Sequence, residues 1–164
     1  MTEDPSPRLQ QALAAIGDVA VSHGFTRFTR TEWTRGESWK TDAIRVDLHV
    51  FDEFLVSFQV ALVPEDVFTR PNADHMSFAF GNLPKILGRE NVYWRPPFLR
   101  FRRTRFLRKL KVDLEAGLKW FDRFDAPVKC LQELDACLNP GSEAHTEAEL
   151  CLQTLMKQER NPAA

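Results

Sequence analysis

The highest density of charge in this chain lies between Arg95 and Lys111, where the sequence reads RPPFLRFRRTRFLRKLK. The stretch contains eight basic residues and no acidic one, with Phe and Leu between them. A cationic surface of this kind binds phosphate groups or an acidic protein. The alternative is an ordinary solvated face whose charge is neutralised by acidic side chains elsewhere in the fold. The basic side chains that we expect to contact a partner are Arg95, Arg100, Arg102, Arg103, Arg105, Arg108 and Lys109.

A second group of residues has the types used in acid–base chemistry. Asp47 and His49 lie two residues apart in a predicted strand, so their side chains share one sheet face, where a carboxylate orients an imidazole. Asp74 and His75 lie in a predicted loop. The alternative is that the first pair belongs to the solvent face of a half-buried sheet and the second to an ordinary polar loop.

Two tryptophans are further candidates for partner contacts. Trp39 lies in a polar turn and Trp94 lies beside the basic stretch. An exposed Trp is typical of a binding surface, whereas the alternative is an indole that covers the core edge with its N–H group hydrogen-bonded.

Motifs for catalysis or metal binding do not occur in the sequence. It contains no GxSxG, no HExxH and no glycine-rich phosphate loop, and its three cysteines form no CxxC pair. We therefore expect no catalytic residue, no metal and no cofactor.

Composition limits the class of protein. The 164 residues, 43% of them apolar, fit one globular domain with frayed tails at 1–6 and 160–164. The net charge of -1 argues against a domain devoted to nucleic acid. An odd number of cysteines, no signal peptide and no long apolar run lead us to expect a cytoplasmic protein without membrane contact.

Hydrophobic periodicity predicts the elements that position these residues. Ser6 and Pro7 begin a helix over 7–23, and 25–35 has the composition of a strand. Apolar residues alternate over 44–50 and 54–62 around Asp52-Glu53, which predicts a tight hairpin. In that hairpin Ile44, Val46, Leu48 and Val50 face inward. Short strands are predicted at 76–80 and 98–103, the second with Leu99 and Phe101 facing inward.

Helices follow from Thr104, which divides the basic stretch. Leu107, Leu110, Leu114, Leu118 and Phe121 form an apolar stripe, and this places Arg105 and Arg108 in the first helical turn. Asp125 and Pro127 are predicted to cap a second helix, and a capping box at Thr146 and Glu149 begins a third. The order predicts an α+β fold: an N-terminal helix, an antiparallel sheet of four or five strands, then C-terminal helices on one face.

Two segments resemble small bacterial families of unknown function. HGFTRFTRTEWTR at 23–35 resembles their Gly-Phe-x-Arg entry, and GLKWFDRFDAPVKCLQEL at 117–134 resembles their closing helices. These families include immunity-like proteins of polymorphic toxin systems. The resemblance implies a protein that binds and neutralises a toxin, and it brings no catalytic residues.

We therefore expect a protein-interaction domain, with a toxin as the partner. Acidic patches at Asp113 and Glu115, and at Glu143, Glu147 and Glu149, are alternative contact surfaces. One alternative is a nucleic-acid-binding protein that uses 95–111. Another is an enzyme with a site near Asp47, His49 and Asp74-His75.

Overall fold

A computed structural model of the chain describes residues 5–63, 76–90 and 93–160. It confirms the α+β class and the predicted order of an N-terminal helix, an antiparallel sheet and C-terminal helices. Short 3-10 segments lie at Val50–Asp52 and Lys119–Phe124. The elements are α1 Pro7–Ser22, β1 Thr26–Arg27, β2 Glu32–Gly36, β3 Lys40–Leu48, β4 Phe54–Leu62, β5 Met76–Asn82, α2 Leu83–Ile86, α3 Arg100–Leu118, α4 Pro127–Cys137 and α5 Glu143–Arg160.

The described strands form one five-stranded sheet in the order β1-β2-β3-β4-β5. The strand predicted over 25–35 is instead two short antiparallel strands, with Thr26 opposite Thr34. A turn divides them because the amides of Phe28 and Thr29 both donate to the carbonyl of Glu32, at 2.9 and 3.2 Å. Thr and aromatic residues favour extended backbone, and that composition alone does not reveal a reversal of direction.

Helix α1 follows the prediction closely. The Ser6 hydroxyl accepts a hydrogen bond from the Leu9 amide at 3.3 Å, and Gly24 ends the helical segment with φ of 81°. Most of the predicted tails lie outside the described residues, although Ser6 caps α1 and Arg160 is the last residue of α5.

The strand predicted at 98–103 is wrong, because α3 begins at Arg100. Pro96 and Pro97 would interrupt a helix that contained them, but they do not prevent a helix from beginning a few residues later. The first turn of α3 is closed by the Arg103 amide, which donates to the Leu99 carbonyl at 3.0 Å. Leu99 and Phe101 are consequently exposed instead of inward-facing. Arg105 lies beyond the first turn, which instead contains Arg100, Arg102 and Arg103.

The hairpin between β3 and β4 lies where it was predicted, but the residues next to its turn do not face the core as predicted. Ile44 and Val46 are buried, as are Phe54, Val56 and Phe58 on the opposite strand. Leu48 and Val50, predicted to face inward, are exposed because β3 ends at Leu48 and the chain then turns away from the core.

The last two helices begin at caps other than those predicted. Ala126 precedes α4, and the Asp125 carboxylate pairs with Lys129 instead of capping the helix. For α5, Ser142 is the cap: its hydroxyl accepts from the His145 amide at 3.2 Å, and its carbonyl accepts from the Thr146 amide. The capping box at Thr146 and Glu149 therefore lies inside α5.

By its contacts the chain forms two compact units, which are described separately. The first comprises the described residues of Met1–Arg35, Ala43–Phe58 and Gly81–Lys119. In it α1 packs on α3, and Phe54 contacts the rings of Trp94 and Phe106. Its buried residues include Ile16, Leu83, Leu110 and Leu114.

The second unit comprises the described residues of Gly36–Asp42, Gln59–Phe80 and Trp120–Ala164. Here α4 packs on α5, and Phe124 contacts the rings of Phe78 and Trp120 edge-on. Lys40 and Asp42 form an ion pair at 3.1 Å with both side chains buried.

Cys130 in α4 is fully buried, and burial raises the pKa of its thiol to about 12. At pH 8 roughly one such thiol in ten thousand is ionised, and the thiolate is the nucleophile. We expect iodoacetamide to leave Cys130 unmodified in the native protein and to alkylate it after denaturation in guanidinium, as measured by peptide mass spectrometry. Rapid native alkylation of Cys130 would contradict this packing.

Candidate partner-binding surface

The turn between β3 and β4 holds an unusual backbone conformation. The Glu53 amide donates to the Val50 carbonyl at 3.2 Å, and both central residues have positive φ, 59° for Phe51 and 61° for Asp52. This is the arrangement of a primed hairpin turn, which Asn-Gly normally fills. The left-handed region costs an L-residue about 1–2 kcal/mol. Phe51 bears this strain although its side chain is 73% exposed.

An arginine anchors the strained turn. The Arg8 Nε donates to Asp52 Oδ2 at 2.5 Å, and the same guanidinium lies 3.5 Å from the centre of the Phe98 ring. Partial burial raises the Asp52 pKa, but hydrogen bonds from Ser6 and Arg8 outweigh it, so the pKa is below its usual value. Arg95 lies over the Phe51 ring at 5.8 Å. These contacts link the turn to the segment that enters α3.

The solvent face of α3 carries apolar and basic side chains in one stripe. Phe101, Arg105, Arg108 and Val112 are spaced by four, three and four residues, so they lie one above another. The buried Leu110, Leu114 and Leu118 lie on the opposite side of the helix. Phe101 is 71% exposed and Val112 is 59% exposed. The solvent face of an amphipathic helix carries mostly charged and polar residues, so two exposed apolar side chains in one stripe with two arginines depart from that pattern.

The predicted basic residues fall into two groups. Arg95 lies 4.0 Å from Glu53, Lys109 pairs with Asp113 at 3.1 Å, and Arg103 donates to the Pro97 and Phe98 carbonyls and to Gln11. These three are used within the fold. Within the part of the chain that the structure describes, the following side chains form no ion pair: Arg100, Arg102, Arg105 and Arg108.

The charge on α3 is unfavourable for an isolated helix. Arg102, Arg105 and Arg108 follow one another at three-residue spacing, where like charges repel by a few tenths of a kcal/mol. Its first turn contains no acidic residue, so the helix dipole also disfavours Arg100 and Arg102. We name the exposed set the aromatic–arginine surface: Phe51, Phe98, Phe101, Arg105, Arg108 and Val112.

Among the described residues, the predicted pair Asp47 and His49 does not form a carboxylate–imidazole contact. Asp47 and His49 are both exposed, and the His49 ring contacts Tyr93 edge-on at 4.3 Å instead of meeting a carboxylate. Asp74 and His75 lie outside the described residues.

The two tryptophans are half-buried and partnered. The Trp39 Nε1 donates to Glu37 at 3.1 Å. The Trp94 backbone exchanges two hydrogen bonds with Phe54, at 2.9 and 2.8 Å. The hydrogen-bonded Trp39 indole is therefore compatible with the alternative that we gave for it, and the Trp94 ring lies beside the buried Phe54 at 5.9 Å.

One predicted acidic patch is not a surface feature. Asp113 is only 5% exposed and binds Arg89 through two hydrogen bonds, at 2.7 and 2.9 Å. Its hydrogen bonds with Arg89 hold the Asp113 pKa below its usual range against the opposing effect of burial. Glu115, Glu143 and Glu147 are exposed.

Sequence reasoning missed the apolar members of the surface. Phe101 was predicted to face inward and Val112 was not considered. Continuing the helical period of Leu110 and Leu114 back to residue 101 would have placed Phe101 opposite them. Nothing in the sequence signals the positive φ of Phe51, because Phe rarely occupies that region.

The described residues contain no cluster of metal-ligating side chains and no helix long and apolar enough to cross a membrane. The fold and the surface together define an α+β protein with an exposed aromatic–arginine surface. No known protein family matches the sequence, and neither does any characterised protein or solved structure.

Proposed function

We propose that this chain is a protein-interaction domain that binds an acidic protein through the aromatic–arginine surface. The observation that carries the proposal is the exposed stripe of α3, in which Arg105 and Arg108 lie between Phe101 and Val112. Neither arginine forms an ion pair with another described residue. Aromatic residues and Arg are the types enriched at binding hot spots, and exposed side chains of both types occur here together.

The strained turn supports the same surface. A bulky residue at positive φ persists only where surrounding contacts hold it, and here the Arg8–Asp52 pair does so. Strain that presents Phe51 to solvent gives no packing energy to the isolated chain. A partner that covers Phe51 would bury its apolar surface, and the free energy gained in this way would offset the strain of the turn.

The resemblance of 23–35 and 117–134 to immunity-like proteins makes a toxin the partner class that we propose. A partner surface rich in Asp and Glu would neutralise Arg105 and Arg108 and remove their mutual repulsion. The target surface would therefore be acidic, which is not the basic cleft typical of a nuclease.

The test is co-expression with the protein encoded directly upstream of this gene. We expect the wild-type chain to restore growth of cells that make that protein, and the purified pair to form a complex. The double variant Arg105→Glu/Arg108→Glu should weaken binding by about 100-fold, because it places like charges against the partner. Isothermal titration calorimetry measures the change.

A matched control reverses two other exposed cations, Lys157→Glu/Arg160→Glu in the last turn of α5. We expect this variant to bind as the wild type does. If the wild-type chain gives no protection and no complex, or if both double variants bind equally well, the proposal fails.

Nucleic acid is a second candidate ligand, favoured by one observation: exposed Phe98 and Phe101 flank the unpaired Arg100. Such a pattern suits single strands, whose bases stack on aromatic rings. Fluorescence anisotropy with single-stranded RNA at about 50 and 200 mM salt tests it, since phosphate contacts weaken steeply with salt. No binding at the lower salt concentration would exclude this candidate.

A further inference from the structure

A groove of about 750 Å³ runs along α1 and is bounded on its other side by the β1–β2 segment. Its volume is in the range of small-molecule sites. The α1 wall includes Leu13, Ala14, Gly17 and Val21, which recur at helical spacing on one face. This groove does not include any residue of the aromatic–arginine surface, so it raises a separate question of function.

The floor of the groove depends on a glycine. A Cβ at Gly17 would lie 3.2 Å from Trp33 Nε1 and 3.3 Å from its Cζ2, so the indole lies directly against the helix where no side chain intervenes. Trp33 is buried beneath the groove, and Val21 at its rim is 61% exposed. An apolar ligand in the groove would therefore cover the exposed Val21 side chain and lie above the buried indole.

The wall opposite α1 supplies positive charge. The Arg27 guanidinium donates from Nε to the Thr29 carbonyl at 3.1 Å and from Nη2 to the Arg30 carbonyl at 3.2 Å. These bonds orient Arg27 without neutralising it, and among the described residues no carboxylate pairs with it. On the α1 side, the Asp18 carboxylate is paired with Lys111 at 2.9 Å.

We propose that this groove binds a small amphipathic carboxylate. The carboxylate would accept hydrogen bonds from Arg27, which is already held in place, so little side-chain entropy is lost on binding. The apolar body would lie along Leu13, Val21 and Trp33. A negative charge suits the oriented Arg27 guanidinium beside an apolar floor, and a cationic ligand of the same length would be rejected.

The experiment compares decanoate with decyltrimethylammonium, both below their micelle-forming concentrations. Titration calorimetry and the NMR signal of the Trp33 indole N–H, assigned with Trp33→Phe, report binding. We expect decanoate to bind saturably and to shift that signal, and the cationic amphiphile to do neither. Arg27→Gln should weaken decanoate binding at least about tenfold, because a charge-assisted hydrogen bond is lost. Arg160→Gln, an exposed arginine outside the groove, should leave it unchanged.

A second variant keeps the proposal falsifiable if Arg27→Gln does not fold. Val21→Glu changes an exposed position of α1 and adds a negative charge to the groove, so decanoate binding should disappear while the circular dichroism spectrum stays the same. Equal binding of the two amphiphiles, unchanged affinity in Arg27→Gln, or no saturable binding up to about 1 mM would overturn the proposal. So would a dimer in light scattering whose interface fills the groove and that decanoate does not dissociate.

Discussion

We expect Gly117→Val to lower the thermal midpoint of the protein by roughly 10 °C. A Cβ at Gly117 of α3 would lie 2.1 Å from Leu83 Cδ1 and 3.1 Å from Phe58 Cε2, and both of these side chains are fully buried. Neither has free space to move into, because protein interiors are close-packed. Overpacking of this kind costs about 3 kcal/mol, and each kcal/mol corresponds to about 2–4 °C for a chain of this length.

The matched control is Ala116→Val, one residue earlier in the same helix on its exposed side. It introduces the same side chain without the contact to Leu83 and loses about 0.5 kcal/mol of helix propensity, whereas Gly117→Val gains a few tenths because Gly is a poorer helix former than Val. Differential scanning calorimetry of both variants separates packing from propensity. Equal midpoints for the two variants would show that α3 does not approach Leu83 as described.

Asp113→Asn should lower the free energy of unfolding by about 2 kcal/mol at pH 7. The change keeps the shape of the side chain but removes the charge that holds Arg89 and Lys109. Because Arg89 is close to half-exposed, water replaces part of the lost interaction, and the loss is smaller than for a fully buried pair. Urea denaturation measures the difference.

The lowered pKa of Asp113 also predicts how its contribution to the stability of the fold changes with pH. The Asp113 pKa is lowered in the folded state, so its contribution is present above the unfolded value of about 3.9 and is lost as the pH falls through the folded pKa. The difference in the free energy of unfolding between wild type and Asp113→Asn should therefore be largest at pH 7 and should decrease below about pH 4. Glu115→Gln, an exposed acid of the same helix, should change stability by less than about 0.5 kcal/mol at either pH. A difference in the free energy of unfolding that does not change with pH would contradict the Arg89–Asp113 ion pair.

Local sequence signals predicted the elements that depend on neighbouring residues. Ser6 and Pro7 marked the start of α1, Gly24 marked its end, and the alternation over 54–62 gave β4 with the correct buried face. These signals work because a cap and a hydrophobic period are properties of a few consecutive residues. The start of α3 was misplaced by four residues, since Leu99 and Phe101 between arginines fit a strand and a helix equally over so short a span.

The sequence by itself determined the α+β class, the order of helix, sheet and helices, and the basic character of 95–111. Only the tertiary structure decided which of those charges are neutralised. Glu53 lies near Arg95 from another part of the chain, whereas Arg105 and Arg108 have no acidic partner among the described residues. The Lys109–Asp113 pair is the exception, because its i,i+4 spacing in α3 is a local pattern. The structure also decided that Phe51 is exposed on a strained turn held by Arg8. The physical reason is that ion pairs such as Arg8–Asp52 and Arg89–Asp113 join residues far apart in the chain, and no local pattern encodes such contacts.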